Sequence, residues 1–291
     1  MENIRLYYHI CSDGNYADVL FRNEQDFKAA MNRIAVCTLK RPVVLLAFVL
    51  MGNHFHFVGR FCSEDDCYGF ANDFKRLTGK YNSDIYHEKA SLGRLLVKAI
   101  PVTDETQLRT LIGYVVKNPT KARLGMFYSY RWGTGSLYFR EEDERMHNDS
   151  VTVSCLGARS RRQICRTRVS LPLGWIIKEG IILPENYVAV KEVELLYKTT
   201  RSYMYFLSMN KDDEIERDLG EWNELRLSDA EMRIARSKMS MEMFGTDNIR
   251  DLSAPLRLKI AKAMRAKYLC SKKQIARIVL LPYDVVEKAL G

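Results

Sequence analysis

No run of about 18 apolar residues occurs in the chain, so no segment has the length of a bilayer-spanning helix. The opening residues, Met1-Glu2-Asn3-Ile4-Arg5, lack the apolar core of a signal peptide. A soluble, cytoplasmic protein with no membrane partner is expected. Paired-cysteine motifs are missing as well. The seven cysteines are odd in number and contain no Cys-x-x-Cys pair, which fits reduced thiols better than disulfides or a zinc knuckle, and Cys62 and Cys67 read as structural. Acidic residues are in the minority, 36 against 45 lysines and arginines, leaving a net charge of +9. That balance favours a polyanionic partner over an acidic small substrate. Histidine is scarce, with five in 291 residues, so two of them close together carry information.

Those two are His54 and His56, in Met51-Gly52-Asn53-His54-Phe55-His56-Phe57, which follows the apolar run Val43 to Leu50. Both segments are rich in β-branched and aromatic residues, and Gly-Asn between them is a two-residue turn signal, so a β-hairpin is predicted. Side chains alternate along a strand, which puts His54 and His56 on one face about 6 to 7 Å apart and Phe55 and Phe57 on the other. Two imidazoles at that spacing can bind one metal ion. A pair of exposed strand histidines is the plainer reading of His-x-His alone, and a suitably placed nucleophile downstream decides between the two.

In chain order, Ile4 to Cys11 reads as a strand closed by Ser12-Asp13-Gly14-Asn15. Asn23-Glu24-Gln25-Asp26 opens a helix that Lys40-Arg41-Pro42 ends. After the hairpin, Ser63 is an N-cap for a helix with Phe70, Phe74, Leu77 and Tyr81 on one face and Lys75, Arg76 and Lys80 off it. Leu95 to Val102 is a further strand, and Thr103 opens a helix carrying Leu108, Leu111, Ile112 and Val115 that Pro119 ends or kinks. The order β-α-β-β-α-β-α predicts the α+β class, with a ferredoxin-like antiparallel sheet, helices on one face and the other face free for a site.

Within that last helix Tyr114 and Asn118 are four residues apart and so share a face. A phenol attacks a phosphodiester poorly unless a metal or base assists it, which is what a His-x-His site supplies. At this point several motifs coincide: Tyr8-His9, Phe48-Val49-Leu50-Met51-x-Asn53-His54-x-His56, Phe74-Lys75-Arg76-Leu77-Thr78-x-Lys80-Tyr81-Asn82, Tyr114-Val115-x-x-Asn118-Pro119-x-Lys121-Ala122 and Tyr130-x-Trp132. Over about residues 4 to 140 the chain resembles the REP-associated tyrosine transposases, within the single-tyrosine HUH transposase superfamily. Gly52 stands where that family usually has proline, and Gly133-Thr134 where it usually has two serines. The resemblance implies Tyr114 as nucleophile and His54, His56 and Asn118 as ligands of a divalent metal, Mg²⁺ or Mn²⁺. It also implies DNA contacts, for which Lys75, Arg76, Lys80, Lys117, Lys121, Arg123 and Trp132 are the candidates.

Past residue 140 the composition shifts. Glu141 to Asp149 is charged, and residues 157 to 168 include five arginines within ten positions, among them the phosphate-contact candidates Arg161 and Arg162. Glu192 to Met209 and residues 228 to 245 read as amphipathic helices. Ser271-Lys272-Lys273-Gln274 is a capping box that opens two short helices joined by a tight turn, and a basic helix carrying Arg257, Lys259, Lys262, Arg265 and Lys267 precedes it. A helix-turn-helix-like end is expected, with Lys272 and Lys273 contacting duplex DNA. The predicted divisions are a nuclease domain at 1–140, a basic linker at 141–170 and a helical DNA-binding domain at 171–291.

The function expected is a metal-dependent single-stranded DNA endonuclease and strand transferase, acting on hairpin DNA through a 5′-phosphotyrosine as a monomer or homodimer. Tyr114-Val115-Val116-Lys117 also fits the Tyr-x-x-Lys spacing of rolling-circle replication initiators, which use His-x-His too. A non-catalytic DNA-binding regulator and a structural adaptor with a basic surface are the other classes.

Overall fold

The computed structural model describes residues 6–13, 19–87, 92–140, 149–167, 169–209, 215, 229–268, 270 and 272–290. Ser271 of the expected capping box, most of the charged 141–149 stretch and Arg168 lie outside them. The protein is α+β, with a four-stranded antiparallel sheet and a mainly helical C-terminal region. Two compact units divide the chain, Met1–Ser12 with Phe21–Ile215, and Asp13–Leu20 with Glu216–Gly291. Among the described residues no helix is long and apolar enough to cross a membrane.

The first unit is built on β1 (Leu6–Ser12), β2 (Val44–Leu50), β3 (Phe55–Phe61) and β4 (Val97–Val102), in the order β2-β3-β1-β4. Helix α1 (Glu24–Lys40) begins where Asn23 accepts from the Gln25 and Asp26 amides. Helix α2 (Glu64–Tyr86) begins where Ser63 accepts from Asp66, and each cap occupies an orphan donor of the first turn. The register pairs Cys11 with His56 and Ile10 with Phe57, so odd-numbered β1 residues share a face with even-numbered β3 residues. On the opposite face Phe55 and Phe57 meet Phe74 edge to face at 5.1 and 5.3 Å, and α2 buries its apolar stripe there.

The face expected to be free is covered. Helix α3 (Glu105–Lys121) lies across it, with Leu111, Ile112 and Val115 buried against β2 and β3. Strands covered on both sides read as continuous apolar runs, and Val44 to Leu50 is such a run, buried from Leu45 onward. The N-cap of α3 is Asp104, which accepts from Gln107, one residue later than the predicted start. The helix runs two residues beyond Pro119.

Residues 149–209 belong to the first unit, so the compact units do not divide the chain at 140 or 170. Asn32, polar and buried in α1, explains part of this. Its amide nitrogen donates to the Gly180 carbonyl at 2.8 Å and its oxygen accepts from the Ile182 amide at 2.7 Å. That anchors a small sheet of β5 (Val151–Thr152), β6 (Ile176–Lys178) and β7 (Ile181–Ile182). The arginine-rich stretch forms helix α4 (Ala158–Cys165), packed on α1. The single helix expected over 192–209 is two, α5 (Val190–Tyr197) and α6 (Thr200–Ser208), because Lys198 adopts a φ of 66° and Thr199 caps the second. The exposed edge of β2 is closed by the 132–134 segment. Leu50 donates to the Trp132 carbonyl, the Thr134 amide donates to the Phe48 carbonyl, and the Thr134 side chain is fully buried against Phe48. Gly133 lies so close to β2 that an added Cβ would sit 3.1 Å from the Phe48 carbonyl oxygen.

In the second unit, α7 (Asp229–Phe244), α8 (Ala254–Lys267), α9 (Lys272–Val279) and α10 (Tyr283–Leu290) bury Met232, Ile260, Met264, Ile275, Ile278 and Val286 together. Leu280, at φ 53°, makes the turn between α9 and α10, and Leu281 donates to the Ala276 carbonyl. Gln274 donates to Asp229 at 3.1 Å.

Candidate active site

The Met51 amide donates to the His54 carbonyl at 2.8 Å, so Gly52 and Asn53 occupy the turn and His54 stands at its exit, one residue before β3. His54 is half-buried, and its Nδ1 lies 2.8 Å from the Asn53 side-chain oxygen. An amide oxygen only accepts, so Nδ1 carries the proton, which is the tautomer whose Nε2 can ligate a metal. The His54 and His56 rings stand 5.1 Å apart and perpendicular.

His56 is buried, 4% exposed, on the face that α3 covers. Its ring stacks on that of His9 with centroids 5.2 Å apart, and Nδ1 of His56 lies 3.0 Å from Nε2 of His9. Burial first, then the neighbouring His54, His9 and Lys121, push the His56 pKa well below the usual imidazole range. Burial alone pushes His9 down to about 3. Both rings are neutral near pH 7, the form a metal requires. Cys11 faces the same side of β1, and the ligand atoms of His9, Cys11 and His56 all lie within 4.8 Å of one another. This group could take a metal ion, and its thiol and two imidazoles suit zinc or copper, whereas His54 and His56 with an amide oxygen suit a harder ion. The two sets share His56. His9 carries no role in the sequence reading; the signal for it is the His9-x-Cys11 alternation on a strand paired with His56.

Across these rings α3 places Tyr114, 6% exposed, with centroids 5.7 Å from His56 and 6.5 Å from His9. The Lys121 ammonium lies 4.5 Å from the Tyr114 ring centre. Asn118 donates its amide nitrogen to the Tyr114 carbonyl at 3.2 Å, a bond that leaves its side-chain oxygen unspent. His54, His56, Tyr114 and Lys121 are thus brought together from two elements far apart in sequence, with Asn118 one turn along from Tyr114. Burial suits the imidazole and amide donors, which ligate as neutral groups, whereas Cys11 would have to give up its proton to ligate.

The other expected contact residues scatter. Lys117 donates to the Met209 carbonyl at 2.9 Å. Arg76 is paired with Asp73 at 3.1 Å. Lys75 is half-buried, and burial lowers its pKa. Arg123 is exposed just beyond α3. Trp132 stacks on Phe27 at 5.1 Å and holds the β2 edge. Lys80 and Arg162 line a cleft between α2 and α4, while Arg161 turns towards the Ser154 carbonyl. Lys272 and Lys273 lie on α9 of the second unit.

No protein-family model matches the chain, and no curated protein matches it. Among solved structures the chain resembles a REP-associated tyrosine transposase bound to a REP hairpin, at 17% identity and a TM-score of 0.34, over 44% of this chain and 76% of that one. A likeness that distant carries no functional argument. What fold and site define is an α+β protein whose buried histidines, with Cys11, form a group able to hold a metal beside a tyrosine.

Proposed function

We propose that the chain is a metal-dependent single-stranded DNA endonuclease and strand transferase of the single-tyrosine HUH type, acting on hairpin-containing DNA. The observation that carries the reading is the Tyr114 ring 5.7 Å from His56, itself 5.1 Å from His54. A nucleophile and a candidate metal pair meet across the one sheet face that α3 closes. The strand order β2-β3-β1-β4 is in keeping with a ferredoxin-like nuclease fold.

His54, His56 and Asn118 would hold Mg²⁺ or Mn²⁺, which supplies polarisation of a scissile phosphate oxygen. The Tyr114 oxygen attacks phosphorus in line, its bond to phosphorus forming as the P–O3′ bond breaks. The phenolic proton ends on the departing 3′-oxygen. The products are a 5′-phosphotyrosine and a free 3′-hydroxyl, and attack by a second 3′-hydroxyl reverses the balance and rejoins strands without ATP. Lys121, over the Tyr114 ring, sets a positive charge beside the oxygen that becomes anionic as it sheds its proton. His9 holds His56 through the 3.0 Å contact and fixes its ring orientation. In the second unit, α9 and α10 with Lys272 and Lys273 form a helix-turn-helix-like module for duplex flanks.

The test is incubation with end-labelled hairpin oligonucleotides with and without Mn²⁺. Metal-dependent cleavage that His54→Ala/His56→Ala abolishes supports the reading; cleavage unchanged in that variant removes the metal pair from the mechanism. A water nucleophile would leave cleaved DNA with no protein attached.

A further inference from the structure

The arginines of α4 separate into two groups once the helix is formed. Arg159 and Arg162, three residues apart on α4, line one side together with Arg166, the left-handed residue that caps the helix, whereas Arg161 points back to the Ser154 carbonyl. Facing that side is the C-terminal half of α2, with Lys80 and Asp84, and between them lies an open cleft of about 890 Å³. Among the described residues four cations and one carboxylate line it. Behind the cleft the ring of Tyr81 is held between the guanidinium groups of Arg33, at 4.3 Å, and Arg166, at 5.1 Å. Arg33 is buried and its pKa is pushed down to about 10, so it remains charged at neutral pH and adds to the positive field.

We infer that this cleft binds the sugar-phosphate backbone of a DNA strand, at a site separate from the one that cleaves. The lining chemistry selects the ligand. Among the described residues its uncharged lining is Ala158 and Gln163, which supply no apolar core of the kind a protein partner needs. Among the described residues no aromatic ring lines it for a base to stack on, which leaves phosphates as the groups recognised and makes the binding independent of sequence. Location sets its role. Helix α2 covers the sheet face opposite α3, so the cleft and Tyr114 lie on different layers of the first unit. A DNA held in both passes round the sheet, and the cleft grips the strand flanking the cleaved position. This assignment rests on the proposed nuclease reading for its ligand, but the binding can be measured without cleavage.

The experiment uses full-length Tyr114→Phe protein, so that no bond is broken, and reads the affinity for a fluorescent hairpin DNA between 50 and 200 mM salt. Each phosphate contact adds about 0.7 to 0.9 to the salt slope, so Arg159→Gln/Arg162→Gln/Arg166→Gln should flatten it by roughly 2 to 3. Over that fourfold rise in salt the parent then loses about 30-fold more affinity than the triple variant. Lys80→Glu, on the other wall, should weaken binding too and covers the case in which the triple variant misfolds. Arg161→Gln should leave the slope unchanged. Equal slopes in parent and cleft variants, or an equal loss in Arg161→Gln, would overturn the assignment, as would displacement of DNA by poly-glutamate at equal charge concentration. Absence of a covalent adduct in wild-type protein with the cleft slope intact would overturn the nuclease reading and leave the cleft standing.

Discussion

Acid should loosen the metal-free protein through His9, and the size of the effect can be worked out. His9 is 2% exposed, and its pKa falls from 6.5 in the unfolded chain to about 3 in the fold. Between those values the unfolded chain takes up a proton that the native state refuses, so stability is full above pH 6.5 and declines as pH falls towards 3. At pH 5 the gap is about 1.5 units, and at 1.36 kcal/mol per unit the loss relative to pH 7 is roughly 2 kcal/mol from this residue. His56 shifts in the same direction, so the wild-type loss exceeds that figure. Urea unfolding in the presence of a chelator, followed by tryptophan fluorescence at pH 7 and pH 5, reads the difference; Trp132 and Trp175 both lie in the first unit. His9→Gln keeps a polar group against His56 but cannot titrate, and its loss between the two pH values should be smaller by about 2 kcal/mol. Equal losses in both proteins would refute the buried, neutral His9–His56 pair.

Other perturbations test separate parts of the account. Gly135→Ala would place a Cβ 2.5 Å from the Phe127 carbonyl oxygen, so a stability loss of about 1 to 3 kcal/mol is expected by thermal unfolding. Phe74→Ala removes a fully buried ring that meets both Phe55 and Phe57, and should cost about 3 to 5 kcal/mol in urea titrations. Lys272→Glu/Lys273→Glu should lower the salt slope for DNA with duplex flanks by about 2 and leave short single strands bound as before; equal effects on both DNAs would remove the second unit from duplex reading.

Much of this architecture is legible in the sequence, for identifiable reasons. The caps Asn23 and Ser63 are short polar side chains just before helical periodicity, and both cap in the fold. His-x-His and Tyr114 with Asn118 one turn on are visible because local geometry fixes which face a residue takes. What the sequence hides is long-range. The stripe Leu108, Leu111, Ile112 and Val115 announces an amphipathic helix, but only packing decides that α3 covers the histidine face and buries His56. Asn32 looks like an ordinary polar helix residue, yet it ties α1 to residues 180 and 182. The arginines after residue 157 read as a basic linker because helical phase is needed to separate Arg161 from Arg159 and Arg162.

The central claim joins one oxygen atom to the whole activity, and competing phenols make it testable. Tyr81 lies between two guanidinium groups and Tyr130 donates to the Leu50 carbonyl, and burial raises both to about 12, while Tyr128 stands exposed. Wild-type protein incubated with hairpin DNA and Mn²⁺, digested and examined by mass spectrometry, should yield a nucleotide-linked peptide containing Tyr114. Tyr114→Phe should yield none while folding normally. A linked peptide carrying Tyr81, Tyr128 or Tyr130 instead, or cleavage with no linked peptide at all, would contradict the account.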